Sequence, residues 1–141
     1  MRFWDSSAVV PLLVAEKTTV ALTAMLRTDV AVLVWWGTPV ECISAIARRE
    51  REGAIAPDQA ARAFQRLRTV SDLWQEVLPS EPVRSAAQRL VRVHSLCAAD
   101  ALQLAAAMIG AEYDPPSLPF VCLDDRLSEA ARREGFDVAP R

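Results

Sequence analysis

Histidine, lysine and cysteine are scarce in this 141-residue chain, and each scarcity removes a class of chemistry. His94 is the only histidine. A His-based metal site and a Ser-His-Asp triad both lose their main support. The position of His94, at the end of an Arg-rich helical run, is that of a helix C-terminus, where such a group is favoured. The cysteines, Cys42, Cys97 and Cys122, are odd in number, far apart and set in apolar runs. That pattern argues against a disulfide framework or a CxxC zinc site and predicts three buried thiols acting as small hydrophobes. Lys17 is the sole lysine among 16 basic residues. No apolar run reaches the roughly 18 residues that cross a bilayer. No basic segment with a cleavage site marks a signal peptide. The expected location is the cytoplasm, with no membrane contact.

What is present is a chain that is 52% hydrophobic and 24% charged, enough to build one core without staples. No repeat, linker or low-complexity segment divides it, so residues 1–141 are expected to form a single domain. The net charge of −2 does not announce a nucleic-acid partner. Setting aside four acids discussed below leaves a positive remainder, carried almost wholly by arginine, which suits bidentate phosphate contact. GC-rich coding explains the Arg/Lys ratio equally well.

Hydrophobic patterning alternates strands and helices. Arg2 to Trp4 reads as a strand, and Ser6 to Val14 as a helix with Ser6 or Ser7 as cap. A second helix covers Thr18 to Arg27. Val30 to Trp35 is apolar on both faces, as a buried parallel strand should be. Pro39 then suits the first turn of a helix to Arg51, closed by Gly53. A helix runs from Pro57 towards Trp74, and Glu76 to Leu78 reads as a brief strand. Pro82 begins a helix to His94. Asp100 opens a helix ended by Gly110, and a Pro-rich loop follows over 111–119. A strand at Phe120 to Leu123, a helix from Leu127 to Glu134 stopped by Gly135, and a last strand at Phe136 to Val138 complete the chain. Strands separated by helices imply an α/β fold, with a parallel sheet covered on both faces.

Four carboxylates, Asp5, Glu41, Asp100 and Asp124, stand where apolar runs give way to helical ones. Asp100 and Glu41, taken singly, are ordinary first-turn acids. Asp5 directly follows an apolar strand and is costly to bury unpartnered; Asp124 has the same placement. In parallel sheets, ligands bind beyond the carboxyl ends of strands. All four acids can therefore share one pocket. Crowded carboxylates repel without a cation, and hard oxygen donors suit Mg²⁺ or Mn²⁺. Because strand residues alternate, only one of Asp124 and Asp125 need face the pocket; Asp124 is expected to, with Asp125 capping the next helix. Ser7, two residues past Asp5, could support that acid or cap the helix. Gln103, one turn past Asp100, could face the same cleft. Arg126 and the run Arg48–Glu52 are expected to be solvated, and Trp35 and Trp36 to lie in the core or an interface rather than to stack on bases.

With these residues in view, the chain resembles the PIN-domain family, and within it the VapC-type toxins of bacterial and archaeal toxin–antitoxin pairs. The matching segments are FWDSSAVVPLLVAE (3–16), VECISAIARRE (40–50), AADALQLAAA (98–107) and FVCLDDRLSEAARREGFDV (120–138). They occur in the family's order and span most of the chain. The resemblance implies a three-layer α/β/α sandwich around a mostly parallel sheet, and a homodimer. It implies an Mg²⁺- or Mn²⁺-dependent endoribonuclease acting on RNA and neutralised by a cognate antitoxin. Its acidic residues map onto Asp5, Glu41, Asp100 and Asp124 as catalytic and metal-holding groups, and its small hydroxyl residue onto Ser7. Two positions depart from the family: Cys122 where Ser or Thr is common, and Gln103 where His is frequent. Cys122 puts support of Asp124 in question. The 111–119 loop is longer than in many relatives.

Other readings are an RNA-processing nuclease of the same kind without an antitoxin, and a catalytically weak binding module on the same fold. An aspartyl phosphatase would need a second aspartate where Ser7 stands. A phosphoacceptor receiver would need a late lysine, which the chain lacks.

Overall fold

The computed structural model describes residues 1–141 and contains five strands and seven α-helices. In chain order these are β1 (Arg2–Trp4), α1 (Ser6–Leu13), α2 (Thr19–Thr28), β2 (Val32–Trp35), α3 (Thr38–Arg51) and α4 (Pro57–Ser71). They continue with β3 (Gln75–Val77), α5 (Glu81–Val93), α6 (Ala98–Gly110), β4 (Phe120–Val121), α7 (Asp125–Arg133) and β5 (Val138–Ala139). A short 3-10 turn, Pro115–Ser117, sits in the Pro-rich loop.

The sheet order is β3-β2-β1-β4-β5, and every pairing is parallel. The chain builds outward from β1 through β2 to β3, then returns to the other side of β1 with β4 and β5. The order therefore reverses between β1 and β4, where α/β sheets open a crevice beyond the strand ends.

Alternation along β1 sends Phe3 to one face and Trp4 to the other, both fully buried. Trp4, Val34 and Val121 pack with α1 and α3 and with Leu22 and Leu67 of α2 and α4. On the opposite face, Phe3, Leu33 and Phe120 pack with α5, α6 and α7. Phe3 and Phe120 stack at 5.4 Å. Two apolar layers around one sheet give the expected three-layer sandwich; each fully buried large side chain contributes about 1.5–3 kcal/mol. No helix is long and apolar enough to cross a membrane.

Several boundaries differ from the sequence reading for identifiable reasons. β4 stops at Val121 because the Leu123 N–H is taken by the Ser7 hydroxyl at 2.9 Å, not by a strand. β5 starts at Val138 because Phe136 turns into the core, 5.5 Å from Phe120. Gly110 is the last residue of α6, not a residue beyond it; a Cβ there would lie 2.7 Å from Leu33 Cδ2, so close packing requires glycine. Gly135 stops α7 as expected, at φ +100°. Cys42 and Cys122 are buried, but Cys97 is exposed: it stands just ahead of α6, outside the layer that this helix covers.

Candidate active site

Each of the four acids is delivered by a different helix N-terminus. Asp5 precedes α1 as its cap, with Oδ2 accepting from the Ser7 backbone N–H at 3.0 Å. Glu41 lies in the first turn of α3, and Asp100 in the first turn of α6, which begins at Ala98 and not at Asp100 itself. Asp124 caps α7, its Oδ1 accepting from the Leu127 N–H at 2.8 Å. This corrects the division of roles within the pair. Asp124 is the cap, because its extended backbone turns the carboxylate back over the first turn; Asp125 is the first helical residue and is exposed. The positive ends of four helices thus face acidic side chains.

Asp5 and Asp124 follow the strands on either side of the switch point. Asp5 is 2% exposed, Glu41 and Asp100 are half-buried, and Asp124 is exposed. Burial raises the Asp5 carboxyl above its ordinary range, and the charge of Asp100 raises it further. Burial likewise raises Glu41, with Asp5 and Asp100 adding to the effect. Burial raises Asp100, and Asp124 adds to it. Asp5, Glu41 and Asp100 are thus each raised by at least one neighbouring acid, and no Lys, Arg or His is among the groups that shift these three. No three Asp, Glu, His or Cys side chains are gathered closely enough to hold a metal as they stand.

The surrounding hydrogen bonds orient these acids. Gln103, 0% exposed, donates from Nε2 to Glu41 Oε2 at 2.7 Å and to the Thr38 hydroxyl at 3.1 Å. Its Oε1 is buried without a partner. An unsatisfied buried acceptor costs about 1–3 kcal/mol. Cys122 contacts Asp5 Oδ2 at 3.6 Å, Asp124 O at 3.5 Å and Ser7 Oγ at 3.7 Å. Burial pushes the Cys122 thiol up to about 12, with Asp5 adding to the effect, so it keeps its proton and can donate it to one of those oxygens at a time. The thiol thus bears mainly on Asp5, whereas Asp124 is held by its own cap bond. Ser7 serves two acids' elements at once: its N–H holds Asp5, and its hydroxyl holds the chain entering Asp124.

Thr38, Ser6 and Cys97 belong to this region and escaped the sequence reading. Thr38 is fully buried, and the side chains of Ser6 and Cys97 lower the Glu41 and Asp100 carboxyls respectively, against the larger effect of burial. Thr38 beside Pro39 reads as a routine helix start; nothing local signals its link to Gln103. The four carboxylates supply hard oxygen donors, and such donors fit a divalent cation.

No protein-family model matches the chain, and no curated protein matches it. Solved structures do resemble it. FitAcB from Neisseria gonorrhoeae aligns with a TM-score of 0.67 at 17% identity, over 98% of this chain and 96% of that one. A toxin–antitoxin complex from Klebsiella pneumoniae aligns with a TM-score of 0.59 at 14% identity, over 88% of this chain and 87% of that one. The likeness is one of fold.

Proposed function

We propose that the chain is a metal-dependent endoribonuclease and the toxin of a VapBC-type toxin–antitoxin pair. The observation that carries this reading is the group Asp5, Glu41 and Asp100, their carboxyls raised by burial and by neighbouring acids that include Asp124, at the switch point of a parallel sheet. The fold shared with FitAcB and with the Klebsiella toxin–antitoxin complex supports the toxin half.

Asp5, Asp100 and Asp124 would hold Mg²⁺ or Mn²⁺, with Glu41 beside them. Once bound, the cation supplies Lewis-acid polarisation and neutralises charge on the phosphate. Gln103 pins one oxygen of Glu41, Oε2. With its proton affinity raised by burial, Glu41 would accept the proton of the attacking water. Ser7 and Cys122 keep Asp5 in one orientation, a role that in metal sites is worth about 10–100-fold.

The antitoxin half of the reading has a candidate surface. An apolar cleft of about 210 Å³ is lined by side chains that include Leu12 and Leu26, Val30 and Val70, and Leu73, with Val30 and Leu73 largely exposed. Apolar side chains of an antitoxin segment would cover it. A homodimer is part of the same proposal.

Purified protein assayed on tRNA and rRNA with Mg²⁺, with Mn²⁺ and with EDTA tests the enzyme directly. Cleavage that depends on the cation and disappears in Asp5→Asn or Asp100→Asn is expected. Undiminished cleavage in excess EDTA overturns the reading. Co-expression with the product of a short adjacent gene tests the antitoxin.

A further inference from the structure

Two tryptophans stand together at the carboxyl end of the second strand, Trp35 as its last residue and Trp36 in the turn that follows. Trp35 is 7% exposed, whereas Trp36 is 53% exposed. This corrects the expectation of a core position for Trp36: β2 ends at Trp35, and no element of the chain covers the turn beyond it. An exposed indole has a large apolar area that water penalises, so its place on the molecule needs a reason.

Phe3 pairs with Leu33, which puts Asp5 level with Trp35 on the neighbouring strand. Trp36 is thus one strand step, about 3.3 Å, past the level of the most buried acid, on a strand about 4.8 Å away. Thr38, two residues later, holds Gln103, which holds Glu41. The same short segment therefore carries the exposed ring and orients a pocket acid.

The ring is also held. Trp35 meets it edge-on at 6.4 Å and 70°. At Gly37 a Cβ would lie 2.6 Å from Trp35 Nε1, so only glycine lets the chain pass so close. Val40 and Ile43, 68% and 45% exposed, extend the apolar surface along α3. Arg51, exposed and free of any ion pair, lies three turns beyond Val40 on the same helix face.

We propose that Trp36 is a stacking platform for an unpaired base of the RNA bound at the acidic pocket, with Val40 flanking it and Arg51 holding a phosphate further along the strand. The inference rests on the ribonuclease reading and adds how single-stranded substrate is gripped. Aromatic faces that stack bases, combined with cations that track the phosphate backbone, bind single strands without sequence preference. The apolar area of Trp36, Val40 and Ile43 is a few hundred Å², short of the roughly 800 Å² per partner of a stable protein interface.

The test uses the Asp5→Asn protein, which binds without cutting, and compares Trp36 with Trp36→Phe and Trp36→Ala. Binding to a fluorescein-labelled single-stranded RNA octamer is measured beside an abasic ribose-phosphate octamer. Trp36→Ala is expected to weaken binding of the base-bearing octamer by about 5- to 150-fold, the range for one stacked base, while Trp36→Phe retains most of the affinity. Binding of the abasic octamer should not change. Equal affinity for all three proteins overturns the platform, as does an equal loss for both octamers. A change of oligomeric mass in Trp36→Ala also overturns it and makes the face a contact between copies. Failure of the Asp5→Asn protein with intact Trp36 to bind any RNA overturns the ribonuclease reading as well, which separates the two failures.

Discussion

Glu41 and Glu134 are the same residue type, both partly withdrawn from water, and their carboxyls shift in opposite directions. Arg89 bonds both oxygens of Glu134, at 2.6 and 3.2 Å, and His94 bonds it at 2.6 Å. The Arg89 bonds lower its pKa first, with His94 adding to the effect. Glu41 has a neutral amide and a hydroxyl for company, and burial, Asp5 and Asp100 raise it. Glu134 ties the end of α7 to the end of α5 and is electrostatically complete. The Glu41 group has no basic side chain among the groups that shift it. Acid content alone distinguishes neither region; compensation does.

Removing one acid from each region gives the sharpest contrast. Asp5→Asn or Asp100→Asn should lower cation-dependent RNA cleavage by about 10³-fold, since a correctly held metal supplies several kcal/mol. Thermal denaturation without metal should show these variants no less stable than the parent, because an uncompensated charge has been removed. A marked loss of stability would mean that these acids are structural, like Glu134.

Gln103→Leu leaves the four acids in place but frees Glu41 and strips Thr38 of its partner. Cleavage should fall by about 10–100-fold, as for other residues that orient metal-site groups, mainly in kcat. Activity equal to the parent would mean that the Gln103 bond positions nothing.

Glu134→Ala should do the reverse of Asp5→Asn. Cleavage per folded molecule should persist, while stability drops by about 1.5–3 kcal/mol for lost bonds to charged groups; partial exposure of Arg89 favours the lower figure. Urea unfolding measures it.

Acidity should separate the regions with the smallest effect. The carboxyls of Asp5, Glu41 and Asp100 are raised in the fold, so their contribution is full below the ordinary values of 3.8 and 4.5 and is lost as pH rises through their folded values. Glu134 is lowered, so its contribution is full above 4.5 and is lost as pH falls. In EDTA, melting temperature followed from pH 4 upward should reveal both slopes. Glu134→Gln should steepen the gain towards acid, and Mg²⁺ should flatten the loss towards neutral pH. An unchanged pH profile in both cases would remove the electrostatic contrast.

Much of this architecture was legible in the chain because local rules and tertiary context agree. Apolar strands buried on both faces, proline at helix starts and glycine at helix ends located the elements to within a few residues. Asp5 could be singled out because an acid after Phe3-Trp4 has no local partner. Gln103 could be placed because one helical turn returns it to the face of Asp100. Other features depended on backbone direction or on neighbours remote in sequence. Alternation says that Asp124 and Asp125 diverge, but not which one the turn leaves as the cap. Cys97 and Trp36 belong to residue types that are mostly buried, yet each sits where no other element arrives to cover it.

By itself, the sequence determined a parallel α/β domain with four acids at strand ends and helix starts, since periodicity and capping are short-range properties. Tertiary structure alone decided that β4 returns beside β1, so that Asp5 and Asp124 flank the switch point. It also decided that Gln103 reaches Glu41 and Thr38 from a different helix, and that no basic side chain is among the groups that shift Asp5, Glu41 and Asp100. Those outcomes depend on which distant segments share a neighbourhood, and electrostatic energy is set by that neighbourhood rather than by order along the chain.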